Sequence, residues 1–323
     1  MRLGLIGTGR IARRFVAEAR FVKDVQITAV YNPHKGSAKC FVKEMWKAGD
    51  DVPKAYQKLS PFVKRVDAVY IASPHETHIG YVMEALAKGK HVLCEKPMCL
   101  DGEEARGAFA LAHTKGLVLM EGIKSGYAPG FERLIEVLED GAIGRLRYVD
   151  ACFTKLEKPD VRELTDLEYG GSFLELGSYV LFPMFVMFGT KYTSMEFEWM
   201  SNGDGLDIFT KGSFRYKNAM ATLTCGLGVK SEGRLLIAGE TGYVVVEAPW
   251  WKLRHFEIHR ENPDDVECFD NAFEGDGLRY ELATFVRRIN GDTSDRIWEG
   301  VSIASAGIMK RFLEWRSNET VGA

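Results

Sequence analysis

The chain predicts an α/β fold: an N-terminal Rossmann-type, doubly wound parallel sheet, followed by an α+β domain with a large, mainly antiparallel open sheet. Three observations carry this expectation. Over about the first 120 residues, short apolar runs alternate with helical spacings, the grammar of βαβ units. A glycine-rich turn, GLIGTGRIA, joins the first run to the first helical stretch, the context in which such a turn binds a dinucleotide. From about Gly122 onward strands follow one another, several with period-two patterning, which reads as an antiparallel sheet with one face covered. At 323 residues the chain exceeds one hydrophobic core, so two domains are expected. They are residues 1–122 and 123–323, with C-terminal helices able to pack back on the first.

Each element has its own reason. RLGLIG is a strand, and IARRFVAEARFV places Ile11, Phe15, Ala19 and Val22 on one helical stripe with Arg13, Arg14 and Glu18 elsewhere,. QITAVYN and VDAVYIAS are strands. THIGYVMEALAKGK is a helix closed by Gly89, HVLCEKP a strand stopped by Pro97, and DGEEARGAFALAHTKG a helix ending at Gly116 before the strand LVLMEG,. FERLIEVLEDGAIG is a helix capped by Gly141. RLRYVDACF, SMEFEW, DIFTKGSFRY, AMATLTCGL, RLLIAGETGYVVVEA and KLRHFEIHR are mostly strands, and LRYELATFVRRI and VSIASAGIMKRFLEW are helices that supply cover.

Composition excludes several functions. A formal net charge of −3 with both signs scattered leaves no basic stripe for nucleic acid,. The most apolar run, roughly residues 173–188, contains Glu175, Gly177 and Pro183 and falls short of the about 20 apolar residues that span a bilayer. MRLGLIG has no secretory pattern, so a cytoplasmic location is expected. The six cysteines form no C-x-x-C pair, which argues against structural zinc and for ordinary reduced thiols. A metal is expected nowhere; His75 and His78 are three apart, but no carboxylate or cysteine cluster completes a site beside them.

In GLIGTGRIA, Gly7 permits the tight turn, Gly9 lets the backbone approach a pyrophosphate, and Ala12 fits helix to strand,. Thr8, Arg10 and Ile11 complete this cofactor-binding turn, with the phosphates at the helix N-terminus. The second strand ends Val30-Tyr31-Asn32-Pro33-His34-Lys35. Asn32 can bond a ribose hydroxyl without repelling a 2′-phosphate, and His34 or Lys35 can attract one, so NAD and NADP both stay open, with a lean to NADP.

Taken together, GLIGTGRIA, ASPHETH (residues 72–78), CEKP (residues 94–97) and GGSFLELGSY (residues 170–179) resemble, in order and spacing, the Gfo/Idh/MocA oxidoreductases. The resemblance covers the whole chain. It implies a Rossmann domain followed by an α/β domain whose open sheet forms a homodimer or higher oligomer, with substrate between the domains. It implies that Lys96 lies beside nicotinamide and substrate on a cis bond to Pro97, and that Ser73, Pro74 and Glu95 line the nicotinamide end. Glu121 is grouped with these cofactor contacts, and His78 is expected either to clasp a loop or to touch the cofactor.

In GGSFLELGSY the family's Gly-Gly pair is kept, Glu175 replaces its usual Asp, and Tyr179 takes the His/Tyr position. This Tyr form resembles the dihydrodiol dehydrogenase, xylose dehydrogenase and glucose-fructose oxidoreductase branch. A phenol with an ordinary pKa near 10 serves as acid or base near neutral pH when a cation lies beside it. Tyr179 is therefore the expected proton-transfer residue, tuned by Lys96. Glu175 has two open readings: substrate-hydroxyl binding, or a capping box in which Ser172 caps the helix and Glu175 reaches back. The alternative reading of Tyr179 is a core aromatic whose hydroxyl is merely satisfied. Trp250-Trp251 reads as an interface or strand-end pair. Where that branch reads Met-Glu-Ala followed by aromatics and an Arg, this chain reads MEGIKSGYAP, with Gly126 at the expected Arg and Lys124 as a substitute polar contact.

The expected function is hydride transfer between NAD(P) and a carbon of a sugar, cyclic polyol or dihydrodiol-like compound, with Lys96, Tyr179 and Glu175 as catalytic residues. The rivals are a dinucleotide-binding regulator or scaffold that performs no turnover, and a glycosidase that uses NAD transiently.

Overall fold

The computed structural model describes residues 1–47, 49–294 and 296–322. They form two compact units, residues 1–124 with 275–306, and residues 125–274 with 307–322.

In the first unit β1 (Arg2–Ile6), β2 (Gln26–Tyr31), β3 (Lys54–Tyr56), β4 (Ala68–Ile71), β5 (His91–Glu95) and β6 (Leu119–Gly122) make a parallel sheet in the order β3-β2-β1-β4-β5-β6. The helices α1 (Arg10–Ala19), α2 (Ser37–Met45), α3 (Leu59–Val63), α4 (His78–Ala87) and α5 (Gly102–Thr114) cross between strands. With both faces covered, a strand such as β4 is buried along its whole length, which is why these strands read as continuous apolar runs. Strand order reverses between β1 and β4, so a crevice for ligands opens at their carboxyl ends. The short α2, β3 and α3 had left no distinct expectation.

The second unit contains α6 (Pro129–Glu139), β7 (Leu146–Thr154), α7 (Arg162–Thr165), α8 (Ser172–Phe188), β8 (Ser194–Ser201), β9 (Asp207–Arg215), β10 (Met220–Gly226), β11 (Leu235–Gly239), β12 (Tyr243–Val246), β13 (His255–His259) and β14 (Val266–Asp270). Its eight strands run β14-β13-β12-β11-β7-β10-β9-β8, antiparallel except for the β7–β10 pair. Helix α8 packs on β7, β9 and β10. β14 went unanticipated because VECFD is exposed except at Phe269 and so lacks a buried face to announce it.

Two helices follow, α9 (Leu278–Ile289) and α10 (Glu299–Gly322). α9 packs on α1, β5 and β6, and its Arg279 forms an ion pair with Glu18 of α1 (Nε to Oε2 2.9 Å) while lying 4.1 Å above the Phe21 ring. Glu18, expected off the apolar stripe, is thereby buried: its charge is taken in because a guanidinium meets it. Among the described residues no helix is long and apolar enough to cross a membrane.

Candidate active site

In the first unit the glycine turn sits at the point where strand order reverses. Gly7 follows β1 with φ +103°, a conformation costly for any other residue,. A Cβ there would also collide with the Ala72 carbonyl at the end of β4. Gly9 is the N-cap of α1, which has no side-chain cap and no acid in its first turn, and a Cβ on Gly9 would meet nothing within 4 Å. Open room in front of uncapped helix amides fits a pyrophosphate. Gly9→Val is accordingly expected to weaken NADPH binding at least about tenfold, roughly 1.4 kcal/mol, with unchanged melting temperature. Gly7→Ala is expected to lower both. Fluorescence titration and thermal melts separate the two, and an unchanged NADPH Kd in Gly9→Val would remove the turn from the cofactor site.

At the end of β2, Asn32 braces the turn itself: its Nδ2 donates to Thr8 Oγ1 (2.8 Å) and its Oδ1 accepts the His34 amide (2.9 Å). His34 and Lys35 beside it are exposed, as is Arg10 of the turn, whereas Ile11 is half-buried.

The loop after β4 and the CEKP turn after β5 are tied together by His78. Its ring is 2% exposed, with Nδ1 2.8 Å from the Pro97 carbonyl and Nε2 2.8 Å from the Ser73 carbonyl. Of the two expected roles, loop clasp and cofactor contact, the geometry shows the clasp. Burial holds the ring pKa down to about 4, so near neutral pH one nitrogen donates and the other faces its carbonyl without a proton. Ser73 Oγ lies 2.7 Å from Thr77 Oγ1, Pro74 is exposed, the Lys96–Pro97 bond is cis, and Lys96 is half-buried.

Glu95 and Glu121, expected among the cofactor contacts, turn inward. The Glu95 carboxylate accepts the hydroxyl of the fully buried Tyr70, and Glu121 accepts the Met98 amide (2.8 Å) and bonds Ser302. Beside Glu95 stands a residue that no motif announced: Glu281 of α9 is 0% exposed, and neither of its carboxylate oxygens has a hydrogen-bond partner. Gly122 makes room for it, since a Cβ there would come within 3.3 Å of Glu281 Oε1 and of the Cys94 carbonyl. Lys124, the expected substitute polar contact, is buried and interacts with both Glu95 and Glu281. Burial first, and Glu95 second, push the Glu281 carboxyl well above the ordinary range,.

Such a carboxyl keeps its proton in the folded state at pH values where the unfolded chain has released it. Its contribution is fully present below the unfolded pKa, about 4.3, and is lost as pH rises toward the raised folded value. Stability is therefore expected to fall as pH rises above the ordinary carboxylate range, and Glu281→Gln to flatten the fall. Urea midpoints measure this, and equal falls in both proteins would exclude Glu281 as the source.

The second unit holds GGSFLELGSY at the start of α8. The capping-box reading is corrected here. The N-cap is Gly171, at φ +109°, and the Phe173 amide donates to Asp207 Oδ2 on β9 (2.7 Å). Ser172 Oγ accepts the Leu227 amide (3.0 Å), so Ser172 serves the sheet and not the helix end. Asp207, 0% exposed, also accepts Thr210 Oγ1 (2.8 Å) and Arg316 Nη1 (3.1 Å). Arg316 of α10 donates further to the carbonyls of Gly170 (2.7 Å), Leu167 and Glu168. A Cβ on Gly171 would occupy the place of the Asp207 carboxylate, which accounts for glycine at the entry.

From residue 171 to 185 only Glu175 is more than marginally exposed. A partly exposed carboxylate within an otherwise buried stretch is the unusual feature of this helix start. One turn on, Tyr179 is 7% exposed, its ring edge-on to Phe153 of β7 at 5.1 Å. Phe153 in turn stacks on Trp251 at 3.6 Å. Trp250, read with Trp251 as an interface or strand-end pair, is a core residue, 0% exposed with Nε1 donating to the Cys152 carbonyl (3.0 Å).

Residues 1–123 match the family model described as an oxidoreductase family with NAD-binding Rossmann fold, and residues 131–245 match the GFO/IDH/MocA C-terminal domain. The chain belongs to the Gfo/Idh/MocA oxidoreductase family. It is 30% identical over 294 residues to human trans-1,2-dihydrobenzene-1,2-diol dehydrogenase, covering 87% of this chain and 86% of that one. It is 28% identical over 310 residues to the scyllo-inositol 2-dehydrogenase (NADP(+)) of Bacillus subtilis, covering 90% and 88%. Among solved structures, a 3-ketoreductase from Actinomadura kijaniata shares the fold with a TM-score of 0.78 at 24% identity, covering 96% of this chain and 95% of that one. Membership makes the chain an NAD(P)-dependent oxidoreductase, with the dinucleotide carried by its Rossmann unit.

Proposed function

We propose that the chain moves a hydride between NADP(H) and an oxygen-bearing carbon of a sugar, cyclic polyol or dihydrodiol-like substrate, with Tyr179 as acid/base assisted by Lys96. The observation that carries this is the start of α8, where Glu175 is half-buried one turn before Tyr179 in a stretch, residues 171–185, that is otherwise buried. The relatives that act on a dihydrodiol and an inositol support the substrate class.

The nicotinamide supplies or accepts the hydride when bound. Tyr179 gives a proton to the substrate oxygen in reduction and takes it back in oxidation. The Lys96 ammonium polarises that oxygen and favours the phenolate by its charge. Glu175 binds a second substrate hydroxyl, since a carboxylate is an acceptor for hydroxyl donors. Gly7, Thr8, Gly9, Arg10 and Ile11 hold the pyrophosphate, Asn32 the adenosine ribose, and Ser73, Pro74 and the backbone of Glu95 the nicotinamide end. His34 and Lys35, with no acid at the β2 terminus, favour a 2′-phosphate. NADPH is expected to bind more tightly than NADH, and Lys35→Glu to reduce the difference. We propose a homodimer through the uncovered sheet face, where Met220 and Tyr243 stand 47% and 40% exposed.

The test is nicotinamide absorbance with NADPH or NADP⁺ while aldoses, inositols and dihydrodiols are added in turn. Turnover of one class is expected. Tight dinucleotide binding without net absorbance change for any class would favour a regulator or a glycosidase instead.

A further inference from the structure

Far along the second sheet from α8, strands β13 and β14 bring together residues that no motif joined. Alternation places His255, Glu257 and His259 on one face of β13, opposite the face that buries Phe256 and Ile258,. Register sets Cys268 directly across from Glu257 and Asp270 across from His255. One donor atom each from His255, Glu257 and Cys268 lies within 4.8 Å of the other two.

The ligand side chains are also held from outside the trio. Asp270 Oδ1 lies 2.8 Å from His255 Nδ1, which leaves Nε2, 3.4 Å from Glu257 Oε1, as the coordinating nitrogen. His259 Nε2 lies 2.8 Å from Glu257 Oε2, and its ring is stacked on Tyr243 at 4.8 Å. A carboxylate behind the histidine and an imidazole behind the carboxylate are the outer partners that orient metal ligands.

We propose that His255, Glu257 and Cys268 form a zinc site that staples β14, the edge strand, to the sheet. Nitrogen, carboxylate and thiolate donors suit Zn²⁺, whose tetrahedral shell is completed by water; Mg²⁺ and Ca²⁺ call for all-oxygen shells. The edge position explains the need: β14 pairs on one side only and, within a single chain, is exposed except at Phe269, so little burial within the chain holds it. The absence of C-x-x-C spacing hid the site, because its cysteine and histidine come from paired strands; H-x-E-x-H within a strand was the available signal.

The test uses the full chain, freed of metal by chelator and titrated with Co²⁺ as a spectroscopic stand-in for Zn²⁺. One equivalent is expected to give a thiolate-to-cobalt charge-transfer band that Zn²⁺ abolishes. Cys268→Ser should lose the band, Cys40→Ser, at the other exposed cysteine, should retain it, and Asp270→Asn should weaken Zn²⁺ binding about 10- to 100-fold. Circular dichroism of each variant checks that it is folded. No saturable band, or a band that survives in folded Cys268→Ser, overturns the proposal.

Discussion

Tyr179→Phe is expected to lose about 10²- to 10⁴-fold in kcat, the range for one acid/base group, while NADPH binds as in the parent. The substitution removes one oxygen and leaves the ring packed against Phe153, so structure and cofactor site should be unaffected. Steady-state kinetics with a turned-over substrate, together with NADPH fluorescence titration, check both halves. A satisfied core tyrosine would show the opposite pattern, a modest stability loss with normal turnover. Lys96→Met adds a distinguishing reading: if Lys96 tunes Tyr179, the basic limb of the pH–rate profile should move upward as well as kcat falling.

Asp207→Ala carries the largest expected effect on stability. It strands the Arg316 guanidinium, 6% exposed, and leaves the Phe173 amide at the start of α8 without its acceptor. Removing one partner of a buried ion pair costs about 3–5 kcal/mol, a large share of a typical domain's stability. Urea denaturation should show a correspondingly lower midpoint with an unchanged slope. Because the same carboxylate positions the turn that presents Glu175 and Tyr179, turnover should fall at temperatures where the variant remains folded. Replacing both partners, as in Asp207→Leu with Arg316→Met, should recover part of the loss, since no charge is then left buried and unpaired. A loss below 1 kcal/mol (roughly the worth of an exposed pair) would mean that α8 is held by its apolar face alone.

These two cases mark the division between what the sequence discloses and what it conceals. The glycine turn was legible because its cause is local: Gly7 needs a positive φ whatever surrounds it. The parallel strands and their helices were legible through hydrophobic period, and the family through four motifs in order. The start of α8 misled for the same reason of locality. Ser172 and Glu175 have capping-box spacing, but the helix is capped from Asp207, which bonds an amide 34 positions away and a guanidinium 109 positions away. Glu18 finds its partner 261 positions on, and Glu281 reaches β5 and β6 on a helix whose span, LRYELATFVRRI, was legible while the elements it packs on were not. Buried charge is legible only with its partner, and partners distant in sequence leave no period or spacing. Even there a trace exists: Gly122 replaces the Ala expected at that place, and the space it frees is where the Glu281 carboxylate lies.

The central claim is net hydride transfer between the nicotinamide and a carbon of the substrate. It is tested most directly by supplying NADPH deuterated at nicotinamide C4, separately on each face, and weighing the product by mass spectrometry. Deuterium on the product carbon from one face only is the predicted result. Product formed without label from either face would contradict hydride transfer to the substrate and point to chemistry in which the dinucleotide is not consumed.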